Sequence, residues 1–108
     1  MMKMPRYYDR QGRPLVNALA WAKLEEEGGL DYKSVAATTL SDGTWVSTVW
    51  LGADHQYGDG PPLIFETMVF PREGNWSEME CERYSTEAQA REGHARMVAK
   101  YSAMDLQP

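Results

Sequence analysis

The chain has 108 residues, 16 acidic against 11 basic side chains, a net charge of −5 and a hydrophobic fraction of 43%. This length holds one domain with one core, and the composition excludes wholesale disorder. The acidic balance argues against direct nucleic-acid binding, which depends on neutralising phosphates, while the single cysteine, Cys81, excludes an intrachain disulfide and a cysteine-based zinc site.

The start, Met1 to Arg6, carries no apolar run of signal-peptide length, and no segment approaches the ~18 apolar residues of a membrane span. The expectation is a cytoplasmic protein that does not enter a membrane. Asp9-Arg10-Gln11-Gly12 has Asp first and Gly fourth, the preference of a type I turn. Tyr7 and Tyr8 either pair at a sheet edge or pack over a helix. A first helix is predicted over 18–27, capped by Asn17, with Ala18, Leu19, Trp21, Ala22 and Leu24 as its apolar face and Gly28-Gly29 as its stop. Glu25-Glu26-Glu27 at its C-terminal end opposes the helix dipole.

Four strands are expected next, over 32–40, 44–51, 63–70 and 76–84. Asp42-Gly43 reads as a two-residue hairpin turn, setting Leu40 opposite Trp45, Thr38 opposite Ser47, Ala36 opposite Val49 and Ser34 opposite Leu51. Trp45 and Trp50 then point to opposite faces, and neither face is cleanly polar. Such a sheet needs cover on both sides, from helices on one and from more protein or a second subunit on the other. In the third strand Glu66 shares a face with Ile64, Met68 and Phe70. In the fourth, Met79 and Cys81 are expected inward, with Glu78, Glu80 and Glu82 lining a solvent face. A last helix over 87–102 begins at a Thr86–Gln89 capping box and presents Ala90, His94, Met97, Val98 and Tyr101, with Gly93 allowing close approach to the sheet. The tail from Met104 to Pro108 is expected to fray. The fold class is α+β: a single domain over 1–108, an antiparallel four-stranded meander with a helix from each end of the chain on one face.

The long connection Gly52 to Pro62, with three glycines and two prolines, is the first candidate site. Asp54, His55 and Asp59 suit a metal or acid/base role, but their spacing matches no specific metal loop, and loop polarity is the ordinary explanation. A buried Glu66 needs a donor, and a pair with His94 between sheet and helix is one geometry that supplies it. Trp50, Tyr57, His55 and Arg83 are candidates to stack on or clamp a nucleotide. Asp54, His55 and Glu66 are the candidates for a small hydrolase. Trp45, Trp76, Glu78, Glu80 and Glu82 are candidate interface residues, because aromatics anchor interfaces and an acidic face competes for basic partners. No cofactor is required by any of these readings.

The stretches Trp45 to Gly52, Asp54-His55, Pro62 to Phe70, Arg83 to Thr86 and Gly93-His94 resemble a family of small proteins encoded by bacteriophages and prophages, over roughly Tyr7 to Val98. The resemblance carries no catalytic residue set. It implies an accessory protein acting in the bacterial cytoplasm, of the kind that antagonises host defences by binding a host protein or sequestering a nucleotide signal. The leading expectation is therefore a non-enzymatic binder of a host protein, homodimeric through the second sheet face, with nucleotide binding as the alternative.

Overall fold

The N-terminal turn forms as the residue types dictate. Asp9 accepts the backbone N–H of Gly12 at its carbonyl and those of Gln11 and Arg13 at Oδ1, so one side chain closes the loop. The computed structural model describes residues 6–56 and 58–105. Along the chain these form α1 (Ala18–Lys33), β1 (Ser34–Thr39), β2 (Trp45–Trp50), β3 (Phe65–Phe70), β4 (Glu80–Tyr84) and α2 (Glu87–Asp105). The strands make one antiparallel sheet in the order β1-β2-β3-β4, the expected meander.

Asn17 caps α1 as its type predicts, accepting the N–H of Ala20 at 2.9 Å. The helical path breaks where Gly28-Gly29 marks a stop: Gly29 sits at φ 56°, ψ −152°, a conformation open to glycine at little cost, and a final turn follows the kink. Residues 32 and 33 therefore belong to that turn and not to a strand. The helix buries none of its residues fully. Of the predicted apolar face Trp21 and Leu24 pack against the core, joined by Tyr32 from the final turn, while Leu19 stays exposed.

The first hairpin differs from its predicted register by one residue. Gly43 donates its N–H to the Leu40 carbonyl and Leu40 donates to Thr44, making Ser41-Asp42-Gly43 a three-residue loop. Thr39 then lies opposite Trp45, Thr38 opposite Val46 and Ala36 opposite Thr48. A single-residue shift exchanges the faces of a strand. Thr38 and Ala36 thus join Val46, Thr48 and Trp50, and a register shift between Ser34 and Ala36 turns Val35 inward as well.

Both helices lie on the face that carries Trp50. Thr86 and Gln89 close the capping box in both directions, and α2 crosses all four strands. Its stripe of Ala90, His94, Met97 and Tyr101 is buried as predicted, and a Cβ at Gly93 would collide with the Tyr84 ring and hydroxyl, so only glycine permits this approach. Beneath α2 the core divides into two apolar clusters. One gathers Tyr8, Val35, Trp50, Ile64, Phe65, Tyr84 and Ala90, and the other Val46, Val69, Met97 and Tyr101. Ile64, which precedes β3, joins the first cluster and so leaves the face shared by Glu66, Met68 and Phe70.

A polar band separates the clusters. Thr48 and Thr67, opposite each other on β2 and β3, are hydrogen-bonded, and His94 bonds Thr48 through Nδ1 at 2.7 Å and Thr38 through Nε2 at 2.8 Å. Every member is satisfied, the condition under which a buried polar network is tolerated and holds a helix in one register. Burial, with Arg91 nearby, holds the His94 imidazole below its ordinary value. The helix continues through Met104 to Asp105, so the part of the expected frayed tail that is described is helical. Residues 106–108, like 1–5, lie outside the described residues.

Candidate functional site

The face opposite the helices is the candidate site. Strand alternation on β2 and β3 sends Trp45, Ser47 and Val49 there beside Glu66, Met68 and Phe70. Trp45 lies directly opposite Phe70, with ring centroids 5.5 Å apart, and Trp76 closes edge-on against both, at 5.5 Å from Phe70 and 6.0 Å from Trp45. Trp76 is placed by the turn after β3, in which Asn75 donates its N–H to Arg72 and accepts that of Ser77 at Oδ1. The three rings form one wall of a trough of about 160 Å³, lined also by Ser47, Val49, Met68 and Glu66.

Glu66 is 7% exposed and lies at the other end of the trough. It pairs with Arg83, whose Nε donates to Oε2 at 2.9 Å, and the Cys81 thiol donates to the same oxygen at 3.5 Å. Glu66 and His94 therefore do not meet. They project from opposite faces, and each is satisfied on its own side. The Cys81 sulfur is pushed up to about 11 by its burial and by the Glu66 carboxylate beside it, although the residue as a whole is exposed. That thiol stays protonated near neutral pH and is a poor nucleophile.

The fourth strand reverses its predicted faces. Glu80 and Glu82 turn to the helix side, where Lys100 and the Tyr101 hydroxyl bond Glu80 and Arg96 bonds Glu82. Lys100 and Tyr101 hold the Glu80 carboxyl below its ordinary value. Cys81 and Arg83 face the other way, opposite Met68 and Glu66. Met79, predicted inward, is 48% exposed, and residues 76–79 lie ahead of the strand. Of the predicted acidic stripe only Glu78 remains an exposed glutamate on neither face's ion pairs.

The nucleotide set is not brought together. Trp50 is buried, its indole N–H donating to the Tyr8 carbonyl, and its ring packs under α2 with Tyr32 edge-on at 4.9 Å. Arg83 lies on the opposite face, and Tyr57 lies outside the described residues. The predicted loop residues organise the connection itself: Asp54 accepts the N–H groups of Gln56 and Leu63 at Oδ1, and His55 bonds the Ala53 carbonyl. Asp59 is exposed on the same connection. Of the three residues named for a hydrolase, Asp54 and His55 lie on this connection and Glu66 lies on β3, paired with Arg83. Among the described residues no group of three or more His, Cys, Asp or Glu side chains is placed to hold a metal.

The N-terminal segment joins this connection to the rest of the chain. Tyr7 pairs with Ala53 of the connection in an isolated bridge and packs its ring, tilted, against Trp21 of α1 at 5.3 Å, so of the two expectations for it the helix contact is the one it makes. Two larger hollows lie away from the open face. One, of about 540 Å³, is bordered by Arg10 and Glu87, whose ion pair, with Arg10 also donating to the Tyr32 carbonyl, clamps the first turn to both helices. The other, of about 510 Å³, runs between Tyr7 and the start of α1.

Sequence reasoning nominated Trp45, Trp76, Glu66 and Arg83, and the fold assembles these four on one face. It did not nominate Val49, Met68 and Phe70 as site residues. Their signal was the register of β2 on β3, which sets Trp45 against Phe70 and Val49 against Glu66. No helix in the described residues is long and apolar enough to cross a membrane. No family model, curated protein or solved structure matches the chain.

Proposed function

We propose that the chain is a non-enzymatic binding protein, an acidic accessory protein of the phage type that acts on a host protein in the bacterial cytoplasm through the open face of its sheet. One observation carries this: Trp76 is 70% exposed, yet it extends an aromatic surface continuous with Trp45 and Phe70 on the face that the chain's own helices leave bare. Scattered exposed apolar residues are ordinary. A contiguous aromatic patch beside a charged pair has the composition of an interface centre, where Trp, Tyr and Arg concentrate the binding energy. The surplus of acidic side chains favours a basic partner, because charge complementarity speeds encounter and rejects acidic competitors.

The host context rests on the resemblance of the strand motifs to small phage-encoded proteins. A second copy of the chain competes for the same face, and one experiment separates the two. A photo-reactive benzoylphenylalanine at position 76, compared with the same probe at Ala95 on the exposed side of α2, is expressed in bacterial cells and irradiated. The expected result is an adduct with a bacterial protein from position 76 and none from position 95. An adduct only with a second copy of the chain overturns the host-protein reading, and no adduct above the Ala95 control overturns the binding surface itself.

A further inference from the structure

The trough on the open face is small and asymmetric. At about 160 Å³ it lies below the roughly 300 Å³ at which small-molecule pockets begin, so it matches a single side chain. Its walls are the rings of Trp45, Phe70 and Trp76 with Met68 and Val49, and the one charged group that lines it is Glu66. Arg83 touches Glu66 from β4 but does not line the trough.

From Phe70 to Glu66 the strand advances four residues, about 13 Å at the ordinary rise, with the aromatic wall at one end and the carboxylate at the other. Both hydrogen bonds described for that carboxylate reach Oε2, and a carboxylate accepts on both oxygens.

Resting on the open face as the binding surface, we infer that this trough receives one basic side chain of the partner, a lysine or arginine, whose stem lies on the aromatic wall and Met68 and whose head donates to Glu66. A long side chain with an apolar stem and a charged tip matches both ends of the trough. An apolar occupant would close water away from Glu66 without returning a hydrogen bond, and an acidic one would meet Glu66 directly.

A surface-displayed random peptide library is selected on the wild-type protein, and the enriched peptides are measured against three variants. Trp76→Ala removes the aromatic wall, Glu66→Gln removes the charge, and Ser47→Lys fills the trough with the protein's own ammonium. Enriched peptides are expected to carry Lys or Arg beside an apolar residue and to weaken about tenfold or more with Glu66→Gln. The same loss is expected when that Lys or Arg is replaced by norleucine, and on Ser47→Lys. If Glu66→Gln proves unfolded by its thermal transition, Ser47→Lys and the norleucine peptides decide. Peptides that need Trp76 but carry no basic residue, or that bind Glu66→Gln and Ser47→Lys as well as wild type, overturn this inference while leaving the binding surface intact. Selection that yields only peptides indifferent to Trp76→Ala overturns both.

Discussion

The two faces of the β2–β3 pair differ less in composition than in what covers them. One carries Val46, Thr48 and Trp50 with Phe65, Thr67 and Val69, and the other Trp45, Ser47 and Val49 with Glu66, Met68 and Phe70. The first has apolar pairs at both ends with Thr48 and Thr67 between, and the second has Trp45 and Phe70 at one end and Glu66 beside Val49 at the other. On the first, α2 supplies Met97 and Tyr101 to the apolar rows and His94 to the polar row, so that every buried hydroxyl of Thr38, Thr48 and Thr67 finds a partner. On the second no helix of the described residues is laid down, and the ion pair of Glu66 and Arg83 shares the face with a half-buried Trp45 and an exposed Trp76. The comparison separates a row of threonine hydroxyls that α2 and the sheet satisfy between them from a face that the described helices leave uncovered, and such satisfaction is what burial of a polar row demands.

The largest effect that sharpens the contrast is expected at Trp50. Trp50→Ala removes a side chain 1% exposed and strands the Tyr8 carbonyl, and it is expected to cost about 3–5 kcal/mol in urea unfolding. A value near zero would mean that the helix-covered face is not the core. Thr48→Val comes next. It keeps the shape but leaves Thr67 and the His94 Nδ1 without their shared partner, at a cost of roughly 1–3 kcal/mol, while the matching change Ser47→Val on the open face is expected within about 0.5 kcal/mol of wild type.

The polar row also predicts a pH dependence. His94 is held neutral below its ordinary value of 6.5, so between that value and its lower folded one the unfolded chain binds the extra proton. The contribution is complete above 6.5 and is lost as pH falls through 6.5 toward the folded value. Unfolding midpoints measured over that interval are expected to decline in the wild type and to decline less in His94→Gln. Equal slopes would place His94 in water.

Local signals made much of this fold legible. Asn17, the Thr86–Gln89 box, Gly93 and the Asp9 turn each name a backbone requirement that a short stretch of sequence can state. The misreadings arose where the deciding contact is remote. Asp42-Gly43 admits a two- or three-residue turn, and the choice moved Thr38 to the covered face, where His94 receives it. Glu80 and Glu82 read as solvent-facing because Lys100 and Arg96, which turn that face into ion pairs, lie on α2. The site was half legible for the same reason: alternation separated Trp45 from Trp50 but could not say which of two apolar faces the helices would choose.

The most direct test joins stability and binding in one variant. Trp76→Ala removes a residue 70% exposed, so its unfolding free energy is expected within about 0.5 kcal/mol of wild type. Measured beside it, retention of the bacterial protein crosslinked from position 76 is expected to fall by about tenfold or more, as for an aromatic anchor at an interface centre. Undiminished retention at unchanged stability would contradict the assignment of the open face as the surface through which this protein acts.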